Sequence, residues 1–261
     1  IERGLTLRVL ENTMRDNKRR KLTMRNVDKL LKLFCDDNFI ANYWQRQPKV
    51  WTEAKNLFLK TADLAHFAKL IDRHWNLFPE SMSFYRKGRQ IDYESFQNVD
   101  NIGVDSWIEL LRQHPVLVQR LYLSNEFFAQ LSVLMQYHFG AFTPVSAYVS
   151  YGNTKGAKKH RDRGHIFVFQ FQGSCKWTLH DKSSRKKIDE VVMKPGMLMY
   201  VPQGIYHRVE RLSEFNLHVS VGLRYYHPQD EMKSMLNLPV FLPALPAEHR
   251  NLNIDKQSAL L

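Results

Sequence analysis

The chain has 261 residues, of which 44% are hydrophobic and 12% aromatic, enough to bury a sizeable core and to exclude disorder throughout. Lys and Arg number 38 against 26 Asp and Glu, and the resulting net charge of +12 favours an acidic partner without naming one. No stretch approaches about eighteen uncharged apolar residues and the start carries Glu2, Arg3 and Arg8, so neither a membrane span nor an intact signal peptide is visible.

A cytoplasmic protein is therefore the expectation, with a removed leader left open because the first residue is Ile1. Two cysteines, Cys35 and Cys175, exclude a disulfide framework and a Cys-rich zinc site, and they fit a reducing compartment.

Taken in chain order, Arg15 to Lys21 forms a basic arm, either a solvated face or a nucleic-acid contact. It leads into a helix in which Val27, Leu30, Leu31, Leu33 and Phe34 recur at roughly helical spacing. Phe39 to Val50 mixes aromatics with a Pro-ended helix, and Asp63 to Ile71 is a short amphipathic helix. Near Met82 the pattern changes to a strand and turn, SFYRKGRQIDY, with Gly88 at the tip. Val104, Ile108 and Leu111 mark a further helix. The next is better marked, with Ser124 as candidate N-cap, Glu126 in its first turn, Phe127, Phe128, Leu131, Leu134 and Met135 along it, and Gly140 past its end.

Beyond Gly140 the pattern is β. PVSAYVSY (Pro144 to Tyr151), IFVFQF (Ile166 to Phe171), CKWTL (Cys175 to Leu179), MLMYV (Met197 to Val201) and LHVSVGL (Leu217 to Leu223) are short strands separated by turn residues, as in a sandwich or barrel. The organisation expected is α+β. A helical N-terminal half at 1–141, with one or two strands, packs on a β-barrel at 142–228, and a tail at 229–261 containing Pro239, Pro243 and Pro246 is helical or dimerising.

Two features of the β half carry chemistry. His160 and Asp162 are two apart on an extended segment, so their side chains point the same way and can meet one metal ion. In KPGMLMYVPQGIYH, one turn at Pro195-Gly196 and another at Pro202-Gln203-Gly204 flank a strand, and the second turn delivers His207 onto the next. Two imidazoles and one carboxylate on neighbouring strands make the facial set that leaves positions open on a non-haem Fe(II).

The segment from about Phe84 to Arg224 resembles the JmjC/cupin-4 family of Fe(II)- and 2-oxoglutarate-dependent oxygenases, which includes ribosomal-protein hydroxylases and, more distantly, the asparaginyl hydroxylase acting on hypoxia-inducible factor. The resemblance is carried by FIANYWQRQP, FYRKGRQID, YVSYGNTKGAKKHRDRGHIFVFQFQGSCKW, MKPGMLMYVPQGIYH and LHVSVGLR. It implies a double-stranded β-helix (a cupin or jelly-roll core), with His160, Asp162 and His207 as metal ligands and catalytic residues. It also implies Fe(II) as cofactor, 2-oxoglutarate as cosubstrate and O2 as oxidant.

The family's usual cation for the distal carboxylate of 2-oxoglutarate falls on Cys175, two after Gly173, and a thiol cannot make a charge-assisted contact. Lys176 with Ser150, a position that bonds the same carboxylate in the family, is the expected replacement. Arg161, Arg163 and Arg224 are alternatives. Tyr148 is grouped with these cosubstrate-binding residues, and with Asn153 it lies on the strand and loop feeding His160, lining the cleft or, for Tyr148, the core. His165 and His218 read as structural imidazoles and Trp177 as packing. Lys155, Lys158, Lys159, Arg161 and Arg163 gather at the barrel mouth, a solvated loop or a rim for an acidic peptide or RNA.

The function implied is hydroxylation of an amino-acid side chain in a protein or peptide. The alternatives are the same chemistry on a precursor peptide, a free metabolite or a tRNA base, or a non-catalytic metal-binding cupin. Nothing in the N-terminal half resembles a chromatin-reading module, which argues against histone demethylation. A homodimer is compatible with the helical half and the tail.

Overall fold

A computed structural model describes residues 25–58, 64–77, 79–86, 89–91, 110–111, 113–152 and 158–225. The basic arm at 15–21, Gly88, Val104, Ile108, Asn153, Lys155 and the tail at 229–261 lie outside the described residues.

Helix α1 (25–34) buries Val27, Leu30, Leu31 and Phe34 on one face, as their spacing requires. Helix α2 (Asp37–Asn42) starts at Asp36, whose carboxylate accepts the Phe39 amide at 3.1 Å. Helices α3 (Lys55–Phe58) and α4 (Leu64–Leu77) follow, the latter longer than the Asp63 to Ile71 expected. Helix α5 (Glu126–Phe139) is capped by Asn125, whose side chain accepts from the Phe128 amide at 3.2 Å, and it ends on Gly140 at φ 60°. Ser124, the expected cap, instead closes the preceding short 3-10 turn Leu121–Leu123.

The strands are β1 (Lys49–Trp51), β2 (Met82–Arg86), β3 (Arg89–Ile91), β4 (Val116–Val118), β5 (Val145–Tyr151), β6 (His165–Gln172), β7 (Cys175–His180), β8 (Lys187–Met193), β9 (Leu198–Val201), β10 (Tyr206–Arg211) and β11 (Phe215–Leu223). They form two antiparallel sheets, one ordered β1-β9-β6-β11-β5-β4-β2-β3 and one β10-β7-β8. These are the two facing sheets of a double-stranded β-helix. Four strands from before residue 141 join the larger sheet where one or two were expected, because β1 adds to β9 and the β2–β4 group extends beyond β5. Strand β8 was not anticipated: it is a sheet edge and most of its side chains face solvent, so KIDEVVM lacks an apolar period.

Strand β6 explains how the layers form. Phe167, Phe169 and Phe171 face the helices and join Phe34, Phe39, Phe58 and Phe128 in one core, while Ile166 and Val168 point between the sheets to meet Cys175, Trp177, Leu179, Met199 and Val201. Both faces are covered, hence an apolar run from Ile166 to Phe171 that only Gln170 interrupts. The same alternation on β5 buries Val145, Ala147 and Val149 in the helix-facing core and leaves Tyr148 and Ser150 lining the cavity between the sheets.

Candidate metal centre

Strand β9 is followed by a turn in which Gly204 takes φ 88°, a conformation costly for any side chain. The turn leads into β10, whose second residue, His207, lines the cavity between the sheets. The peptide groups of His160 and His207 then bond each other in both directions, His160 N–H to His207 O at 3.0 Å and His207 N–H to His160 O at 2.7 Å. This isolated antiparallel bridge sets the two imidazoles side by side, ring centroids 4.4 Å apart.

Donor atoms of His160, Asp162 and His207 all lie within 4.8 Å of one another. Asp162 stands between the rings, with Oδ1 3.9 Å from His160 Nε2 and Oδ2 3.7 Å from His207 Nε2. Those separations are too long for direct hydrogen bonds and suit three ligands around one ion.

The tautomers fit as well. His160 Nδ1 lies 2.8 Å from the Lys158 carbonyl and His207 Nδ1 3.4 Å from that of Ile205. A carbonyl only accepts, so each Nδ1 carries the proton and each Nε2 turns a lone pair toward Asp162. Burial holds the His207 imidazole well below its ordinary pKa, His160 adding to the effect and the Asp162 carboxylate opposing it. At neutral pH His207 is thus a neutral donor. The arrangement meets the requirements of a two-histidine, one-carboxylate site for a divalent metal such as Fe(II).

The site opens on a cavity of about 460 Å³ between the sheets. Tyr85, Tyr148, Ser150, Trp177, Arg211, Asn216 and His218 line it beside the three candidate ligands. Trp177 packs its ring 5.1 Å from that of His207 and donates its indole N–H to Cys175 Sγ at 3.3 Å. Tyr148 stacks on His218 at 4.8 Å and 10°, and burial pushes its hydroxyl pKa up, so it stays protonated. Asn216 Nδ2 donates to His218 Nδ1 at 3.1 Å, which fixes a neutral His218.

Of the residues expected to receive the cosubstrate, Ser150 and Tyr148 line this cavity and Lys176 does not. The register of β7 runs without a shift from Cys175 to Leu179, so Cys175 and Trp177 point in and Lys176 points out. There it pairs with Glu210 at 2.8 Å. Arg161 lies over the Tyr206 ring at 5.4 Å, and neither it nor Arg163 nor Arg224 lines the cavity. Arg211, Asn216, Tyr85 and Gln170 were not singled out by sequence. Only the inward period His207, Val209, Arg211 on β10 could have found the first of them.

Residues 117–231 match the family model of the JmjC domain. The match covers under half of the chain and lies within the described β sandwich and the segment after it. Among curated relatives, the bifunctional lysine-specific demethylase and histidyl-hydroxylase NO66 of Aedes aegypti is 22% identical over 210 residues, covering 72% of this chain and 33% of that protein. Ribosomal oxygenase 1 of Gallus gallus is 25% identical over 108 residues, 34% of this chain and 18% of the relative. The chain thus spans about a third or less of the length of these relatives. Among solved structures, the ribosomal oxygenase YcfD of Escherichia coli shares the fold at TM-score 0.55 and 20% identity, over 85% of this chain and 63% of that one. YcfD in complex with cobalt and 2-oxoglutarate aligns at TM-score 0.55, 19% identity and the same coverage. No helix among the described residues is long and apolar enough to cross a membrane.

Proposed function

We propose that the protein is an Fe(II)- and 2-oxoglutarate-dependent oxygenase that hydroxylates an amino-acid side chain of a protein or peptide in the cytoplasm. The observation that carries the reading is the convergence of His160, Asp162 and His207, both imidazoles in the tautomer that frees Nε2, at the wall of a cavity large enough for a small diacid. These three residues would hold the metal. When bound, Fe(II) with 2-oxoglutarate and O2 supplies an oxidation in which the cosubstrate is decarboxylated to succinate and one oxygen atom enters a substrate C–H bond.

The chain's own contribution is positioning and exclusion. The reciprocal peptide bonds between His160 and His207 fix the spacing of the two donors, and the Lys158 and Ile205 carbonyls fix their proton positions. Trp177 and the stacked Tyr148–His218 pair present ring surfaces to the cavity that keep water away from the reacting centre.

A protein substrate is supported by the relatives named histidyl-hydroxylase and ribosomal oxygenase. Lys158, Lys159, Arg161 and Arg163 stand exposed on the segment that carries His160 and Asp162. Such a rim favours a substrate segment with acidic residues near its target.

Incubating the Fe(II)-loaded protein with 2-oxoglutarate, air and a panel of peptides tests this. Succinate release coupled to a product heavier by one oxygen atom is expected. Loss of a methyl group from lysine would instead indicate demethylation, and an iron-loaded protein that neither binds nor turns over 2-oxoglutarate would remove the oxygenase reading.

A further inference from the structure

Resting on the oxygenase reading above, we infer that Arg211 supplies the cation that binds the distal carboxylate of 2-oxoglutarate, on the strand next to the one that carries Cys175. Two nearer-seeming residues do not serve. Cys175 is fully buried, its S–H donates to Gln170 Oε1 at 3.1 Å, and its sulfur accepts from the Trp177 indole. Burial pushes the thiol up to about 12, so it offers no charge of either sign. Lys176 is on the outer face, held by Glu210.

Arg211 is the direct cross-strand partner of Cys175 in the β10–β7 ladder, and both line the cavity. Side chains so paired start about 5 Å apart on one face, so the longer guanidinium arm reaches the space a cation at 175 would have served. Arg211 also shares the inward face of β10 with His207, four residues and about 13 Å away along the strand. A dicarboxylate anchored by its 2-oxo acid head near His207 extends toward it.

The other polar groups of that end agree. Arg211 Nη1 donates to the Glu214 carbonyl at 3.4 Å, and the same oxygen takes the Gly152 N–H at 2.9 Å. Ser150 and Asn216, each two residues from that junction, pair across β5 and β11 and both line the cavity. Arg211 and Ser150 therefore bring a guanidinium and a hydroxyl to the wall of one cavity near this junction, beside an Asn216 carboxamide bonded to Gln170 and His218, and a guanidinium with a hydroxyl suits a carboxylate. Lys158, the other cation lining the cavity among the described residues, belongs to the mouth beside His160, where its carbonyl holds the ring.

The test is binding, read by calorimetry on the Mn(II)-loaded full chain. Arg211→Met is expected to weaken 2-oxoglutarate by about 30-fold or more, and 2-oxobutyrate, which has the same head and no distal carboxylate, by less than about threefold. Arg211→Lys recovers part of the loss, and Lys176→Met and Lys158→Met stay within about threefold of the parent. Equal weakening of both ligands by Arg211→Met would mark a structural role and overturn the assignment, as would parent-like 2-oxoglutarate binding or a loss confined to Lys176→Met or Lys158→Met. A parent protein that binds no 2-oxoglutarate overturns the oxygenase reading itself and this inference with it.

Discussion

His160 and His207 hold each other by two peptide hydrogen bonds, of 3.0 and 2.7 Å, so their backbones are joined independently of any metal. The candidate donor set is pre-organised by the fold, and what disturbs the chain entering either residue disturbs the candidate metal site.

Gly204 provides the first prediction. A Cβ built there would meet nothing closer than the Lys182 side chain at 3.5 Å, so the cost of Gly204→Ala is backbone strain at φ 88° and not a clash. The variant is expected to lose about 1–3 kcal/mol in urea unfolding and to bind Co(II) more weakly, because the strain is relieved by shifting the turn that delivers His207. Unchanged metal affinity would separate the turn from the site.

Gln170 is fully buried on β6, opposite the register shift between Leu217 and His218. Its Nε2 lies within 3.1 Å of Gln172 O, Gly173 O and Asn216 Oδ1, and its Oε1 accepts from the Cys175 thiol. Gln170→Leu strands these groups inside the protein and should cost about 2–4 kcal/mol, measured by urea unfolding at neutral pH. A loss under half a kcal/mol, roughly the effect of a surface substitution, would show that the bulge is held without it.

A pH dependence follows from His165. Gln203 N–H donates to its Nδ1 at 3.2 Å and Tyr200 O–H to the same nitrogen at 2.8 Å, so the ring is neutral. Burial, and then the charge of Lys182, push its pKa down to about 4. Between that value and about 6.5 the unfolded chain binds a proton that the folded one refuses. This contribution is therefore complete above pH 6.5 and is lost as pH falls toward 4, amounting to at most ~3 kcal/mol. Urea unfolding of metal-free protein from pH 7 to 4 should show a shallower pH slope in His165→Gln than in the parent. Parallel slopes would place the acid sensitivity elsewhere.

Trp177 gives an optical readout. Its ring lies 5.1 Å from that of His207, so adding Co(II) and 2-oxoglutarate should quench emission, and Trp177→Phe should remove most of the change although four other tryptophans remain. Quenching that survives the substitution would put the responding chromophore outside the cavity.

The sequence was most legible where a residue's neighbours along the chain decide its place. The spacing of His160 and Asp162, the glycine turn before His207 and the apolar runs of β6 and β9 lie in contiguous segments, and the structure brings all three candidate ligands together. Lys176 failed for a local reason that outweighs proximity: strict alternation on a strand turns it outward however close it stands to the expected position. The period of β10 puts Arg211 on the face of His207, but its place opposite Cys175, like that of Gln170 against the Leu217–His218 shift, is a cross-strand pairing that no short-range pattern records. Strand β8 was missed because an edge exposed on both faces has no apolar signature.

Whether His160, Asp162 and His207 share one divalent ion is decided by anaerobic titration with Co(II), followed by its visible absorption and by metal content. About one ion per chain is expected in the parent, with site binding lost in His207→Ala and in Asp162→Ala while near-UV circular dichroism shows both variants folded. A parent protein with no such site, or folded variants that bind Co(II) as the parent does, would contradict it.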